Sequence, residues 1–151
     1  MANVRVILRR TIREGVRAAR DARHPEEACG LLFGHVTRSE EDSDLVSIIP
    51  QVFVECENVL HSPSAFEIDP VEQYRHVTSH KGLSLVGIVH THPGAQFLSA
   101  SDERFMLGIS MLSKACWVIA GTGKDGNELD FGAYIVEGSN ITRVAVVHSP
   151  A

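Results

Sequence analysis

An α/β fold, with a mixed β-sheet of about six strands flanked by about three helices, is what this sequence predicts. Three observations carry that expectation. Short apolar runs rich in β-branched residues recur along the chain, at Leu83–Val89, Ala115–Ala120 and Phe131–Val136, and read as buried strands. Helix starts with capping signals lie between such runs, at Thr11-Ile12-Arg13-Glu14 and Asp69-Pro70-Val71-Glu72. No internal repeat, low-complexity tract or linker interrupts the pattern, so one domain spanning residues 1–151 is expected.

Taken in order, Val4 to Leu8 reads as a first strand. A helix opens at the Thr11–Glu14 capping box and ends at Pro25. Glu27 to Gly34 is a second strand, starting with an acid and turning apolar. Thr37 to Asp44 is polar and acidic, the composition of a turn. Leu45 to Val54 is a strand region broken by Pro50, which predicts an edge or a bulge. Asp69 caps a helix that runs to about His80, with Gly82 as its stop. Leu83 to Val89 is the strand before Pro93, which is expected to end it for want of an N–H. A helix from Ala100 to Ser113 follows, capped by Ser99. Ala115–Ala120 and Phe131–Val136 form a hairpin around a glycine-rich turn, and Ile141–His148 closes the domain. Trp117 and Phe131 are expected in the core.

Composition narrows the function classes. Of the residues, 44% are hydrophobic and 22% charged, an ordinary globular balance, and a net charge of −5 disfavours nucleic acid as a partner. No apolar run approaches the ~20 residues that span a bilayer, and the N-terminus lacks a secretory core, so a cytoplasmic protein is the expectation. Three widely spaced cysteines, Cys29, Cys56 and Cys116, argue against a disulfide framework. Cys29 reads as a buried, inert thiol, not a nucleophile. Seven arginines fall in the first 23 residues, and a solvated helix face explains them better than a basic docking patch.

The chemistry concentrates at Val86-Gly87-Ile88-Val89-His90-Thr91-His92-Pro93, followed by Ser99-Ala100-Ser101-Asp102. Side chains two apart on a strand share a face, so His90 and His92 point to one side. Asp102 falls on the first turn of the following helix. Two imidazoles and a carboxylate on short tethers suit zinc, and three protein ligands leave a fourth position for water. Taken alone, His-x-His more often marks two half-buried histidines, and Ser-x-x-Asp more often a helix cap. His24, His35, His61, His76, His80 and His148 show no ligand spacing with a carboxylate or cysteine. His76 and His80, four apart on a helix, lack a third ligand and read as a solvent-facing pair.

Joined to Glu27-Ala28-Cys29-Gly30-Leu31-Leu32, these motifs resemble the JAMM (MPN+) zinc metallopeptidase family, also known by its JAB domain, over most of the chain. The matching residues are Glu27, His90, His92, Ser99 and Asp102. The family usually places seven residues between the second histidine and the serine; here Pro93 to Leu98 gives six. The resemblance implies an MPN/JAB, cytidine-deaminase-like sandwich holding one Zn2+ per chain at His90, His92 and Asp102. It makes Glu27 the general base and then acid, and Ser99 the oxyanion donor, a role that would compete with its helix cap. It further implies cleavage of an isopeptide or peptide bond at the C-terminus of ubiquitin or a ubiquitin-like modifier. The thin tail would add as a strand beside the active sheet. A peptidase releasing cysteine or another amino acid from a sulfur-carrier protein is the alternative activity. A non-catalytic MPN scaffold is the alternative of another class. The short connections are those of minimal prokaryotic members. A homodimer is compatible with the reading.

Overall fold

The β-branched runs become long strands because apolar residues fill both of their faces. In the computed structural model, which describes residues 3–42, 44–108, 115–123 and 128–151, the order is β1 (Asn3–Arg9), α1 (Arg10–Arg23), β2 (Cys29–Arg38), β3 (Leu45–Cys56), α2 (Pro70–Ser79), β4 (Ser84–Ala95), α3 (Ala100–Gly108), β5 (Cys116–Thr122), β6 (Leu129–Glu137) and β7 (Asn140–Ser149). Successive residues divide between two buried clusters. Leu32, Val89 and Val118 join Ile12 and Val16 of α1 on one side of the wall. Leu31, Ile88 and Ile119 join Phe66 and Met106 of α3 on the other. Continuous apolar runs are the signature of a wall buried on both faces. Trp117 and Phe131 are buried, as expected.

The open sandwich of about six strands is not what forms. Seven strands close into a barrel in the order β1-β3-β2-β4-β5-β6-β7. Closure comes from β1, which pairs in parallel with β3 through Asn3–Val6 and with β7 through Arg5–Arg9. The chain's first and last strands thus meet, a contact for which a sequence carries no local signal. β4 and β5 pair in parallel, and the remaining neighbours are antiparallel.

Two local expectations also change, and a third is met as a bulge. α1 begins at Arg10 after Arg9, without a side-chain cap, so the Thr11–Glu14 box is not used. At Pro50 the expected irregularity is present: β3 runs on between two neighbours, but its register with β2 shifts at Phe33/Gly34, where the pairing passes from Val52 to Pro50 and skips Gln51. The ladder to β1 covers only Leu45–Ile48, which lets Pro50 dispense with its missing donor on that side. β4 continues past Pro93 to Ala95, which pairs with Thr122 across an irregular step. Asp69 caps α2 as expected, its carboxylate accepting from Val71 N at 2.9 Å. The end of the helix expected to reach Ser113, and the hairpin turn over 124–127, lie outside the described residues.

Candidate metal centre

β2 and β4 bring the two halves of the site together. Cys29 is directly opposite His90 in the antiparallel ladder, which sets Glu27 beside the end of the His-x-His strand. Reciprocal bonds fix that approach: Thr91 N donates to Ala28 O, and Ala28 N donates to Thr91 Oγ1, both at 2.9 Å. The backbone of Glu27 is held further by Ser62 O and by the Asn58 amide. These clasps come from polar loop residues with no sequence signal of their own. Glu27, His90, His92 and Asp102 are all at most 5% exposed.

Asp102 reaches both imidazoles from α3. Its Oδ1 is 2.9 Å from His90 Nε2 and its Oδ2 3.1 Å from His92 Nε2. Glu27 Oε2 is 3.9 Å from His92 Nε2. Ligand atoms on a tetrahedral zinc are about 3.4 Å apart for bonds of roughly 2.0–2.1 Å, so the two Asp102 distances are near those of one coordination sphere, with Glu27 at its rim. Donor atoms of Glu27, His90 and His92 lie within 4.8 Å of one another, a set that could hold a metal ion. That set has Glu27 where the sequence reading has Asp102, which instead contacts both imidazoles directly. Among the described residues, both ring nitrogens of His90 and Oε1 of Glu27 are buried without a hydrogen-bond partner. The His90–Asp102 approach is close but not aligned as a hydrogen bond. Buried polar atoms are seldom left this way, and a cation would satisfy His90 Nε2, the ring nitrogen that faces Asp102.

Aromatic rings fix the imidazoles. Phe66 stacks on His90 at 4.4 Å, and Phe97 meets His92 edge-on at 5.2 Å. Arg20 of α1 donates from Nε to His92 O at 3.0 Å and from Nη2 to Pro93 O at 2.7 Å. That clamp belongs neither to a solvated face nor to a docking patch, the two roles weighed for the arginine run. Gly121 makes room for the shortened loop: a Cβ there would lie 2.4 Å from Gln96 N.

Ser99 caps α3 reciprocally. Its hydroxyl accepts from Asp102 N at 3.0 Å, while Asp102 Oδ2 accepts from Ser99 N at 3.1 Å. Because the hydroxyl only accepts in this cap, its own proton stays free to donate. Capping and donation therefore do not compete. A cleft of about 210 Å³ opens onto Glu27, His92 and Ser99, walled by Pro63, Pro93 and Phe97.

Electrostatics separate the two carboxylates. Burial raises Glu27 to about 7, against a lowering pull from His92 and with a further push from Asp102. Burial also acts to raise Asp102, but the close approach of the His90 imidazole and the hydrogen bond with His92 outweigh it and hold the group well below the usual carboxylate range. His90 is lowered by burial. For His92, burial is outweighed by the Asp102 hydrogen bond and charge, and the net direction is upward. One carboxylate is thus poised to exchange a proton near neutrality and the other is fixed as an anion. Burial pushes Cys29 far up and Cys56 up to about 12, so neither is an activated thiol.

Of the other histidines, His61 sits exposed between Glu26 and Glu57, and His76 faces Glu72 at 3.4 Å. His76 also has Cys56 within ligand range, correcting its reading as a residue without ligand partners. No helix among the described residues is long and apolar enough to cross a membrane.

The model of the family described as prokaryotic homologs of the JAB domain matches residues 9–132. A solution structure of a protein from Desulfitobacterium hafniense superposes with a TM-score of 0.74, at 21% identity over 97% of this chain and 94% of that one, a likeness of fold. No curated protein matches the sequence.

Proposed function

Since the chain belongs to the prokaryotic JAB-domain family, we propose that it is a zinc metallopeptidase of the JAMM type. Its reaction is hydrolysis of an isopeptide or peptide bond at the C-terminus of a ubiquitin-like modifier. The observation that carries the proposal is the buried convergence of Glu27, His90, His92 and Asp102 beside an accessible cleft. His90, His92 and Asp102 hold one zinc, and the unpartnered Nε2 of His90, beside Asp102, fits that assignment. When bound, zinc lowers the pKa of a water ligand towards ~7 and polarises the scissile carbonyl.

The chain's own residues do the rest. Glu27 accepts the attacking water's proton at a carboxylate oxygen and delivers it to the leaving amine nitrogen. Its value of about 7 suits both halves of that task. The Ser99 hydroxyl donates to the oxyanion that develops on the carbonyl, held in place by its bond from Asp102 N. Phe66 and Phe97 exclude water from the outer faces of the imidazoles. Closure of the barrel changes how a tail would dock. β4 is paired on both sides up to His90, so an extended tail enters along the cleft beyond the end of β2 instead of extending a free sheet edge.

Incubation of the zinc-loaded protein with ubiquitin-like proteins carrying an isopeptide-linked adduct, read by intact mass, tests the proposal. Loss of the adduct with release of the intact modifier is expected. Full retention of every adduct, with zinc bound, would contradict it.

A further inference from the structure

We propose that Cys56, Glu72 and His76 form a second metal site, one that staples α2 to the barrel and takes a thiophilic divalent cation of the zinc class. One donor atom from each side chain lies within 4.8 Å of the others. Glu72 and His76 are four apart on α2 and so share a face, with His76 Nε2 3.4 Å from Glu72 Oε2. Cys56 comes from another element, the last residue of β3, and is buried. Thiolate, imidazole and carboxylate together select zinc-like ions over magnesium or calcium, and a water completes a tetrahedron.

The site is separate from the Glu27–His90–His92–Asp102 cluster. Cys56 is opposite Cys29, and Cys29 is opposite His90, so two strand spacings intervene, roughly 10 Å between backbones. Cys56 also lines a cleft of about 330 Å³ whose wall carries Arg23 with Glu26, Glu27, Glu55 and Glu57.

The fold shows what such a site would do. α2 buries none of its residues, and Val71, Tyr74 and Val77 are all exposed. Its direct ties to the body include the stack of His80 on Phe33 and the bond from Glu57 N to Glu72 at 3.2 Å. A helix so lightly packed gains little from apolar burial, and a bridge from its inner face to β3 would supply what packing does not. On binding, the Cys56 thiol loses its proton to solvent as the metal–sulfur bond forms.

Co2+ titrated into metal-free, full-length protein tests the site, because only a thiolate ligand gives a near-ultraviolet sulfur-to-cobalt charge-transfer band. The band is expected in the wild-type protein and in His90→Ala. It should be absent in Cys56→Ser, and in His76→Ala it should need at least about 10-fold more Co2+. His76→Ala alters a half-exposed helical residue and keeps the test open if Cys56→Ser does not fold. No band at saturating Co2+ in wild type, or a band unchanged in either variant, would overturn the site. Amide exchange on His90→Ala tests the staple: Zn2+ should slow exchange across α2, and an unchanged rate would overturn that role.

Discussion

The two clusters of metal-ligating side chains differ in how they are held. His90, His92, Asp102 and Glu27 are buried, braced by aromatic rings, and carry polar atoms with no partner. In the other cluster Cys56 is buried at the end of β3, but Glu72 and His76 are only half-buried, on a helix that buries nothing. The first is organised before any ion arrives, at the cost of desolvated groups held together. The second would become ordered by the ion itself. Preorganisation is what a catalytic centre needs, because groups already aimed at the reacting atoms need no reorganisation during the reaction. A structural staple needs only to bind.

The comparison is broken most readily at Glu27. Glu27→Gln keeps the shape of the side chain but cannot take the water's proton, so turnover should fall by about 10²–10⁴-fold with zinc content unchanged. Loss of zinc in that variant would make Glu27 a ligand. Ser99→Ala comes next, with kcat lowered by about 10²–10³-fold. Since the same hydroxyl caps α3, a melting curve should also show a loss of ~1 kcal/mol. Either effect without the other would remove one of the two roles.

A pH series on the chelated protein sharpens the contrast between the two carboxylates. Glu27 titrates near 7 in the folded state against 4.5 for an ordinary glutamate. The folded protein therefore holds this proton to higher pH than the unfolded chain. Its stabilising contribution is complete below about pH 4.5 and is lost as pH rises through about 7. Above that window wild type should be less stable than Glu27→Gln, relative to their difference in acid, by about 3 kcal/mol. A pH-independent difference in denaturant midpoints would contradict the shift.

The smallest effects belong to the exposed face of α2. Tyr74→Ala should change stability by no more than about 0.5 kcal/mol, whereas Met106→Ala in α3 should cost about 2–5 kcal/mol. Comparable losses at both positions would mean that α2 packs on something that this chain alone does not provide.

How much of this could be read from the sequence follows the range of the interactions. His90 and His92 share a face through the period of a strand, and Ser99 and Asp102 meet through a helix cap, both set within a few residues. Glu27 needed the motif resemblance, since only the β2–β4 ladder brings it to the histidines. Barrel closure was not legible, because β1 and β7 pair across nearly the whole chain. Neither was the Arg20 clamp, which spans 72 residues, nor the meeting of Cys56 with His76. A periodic pattern reports which faces are apolar, and it says nothing of which distant strand completes a wall.

In the proposed reaction His90, His92 and Asp102 hold a catalytic zinc while Glu27 moves protons beside it. Zinc per chain, measured by native mass spectrometry in a Cys56→Ser background that silences the second cluster, tests it most directly. One zinc per chain is expected, kept in full by Glu27→Gln, and none after His90→Ala with Asp102→Ala in protein that remains folded. One zinc retained without His90 and Asp102, or zinc lost from Glu27→Gln alone, would contradict it.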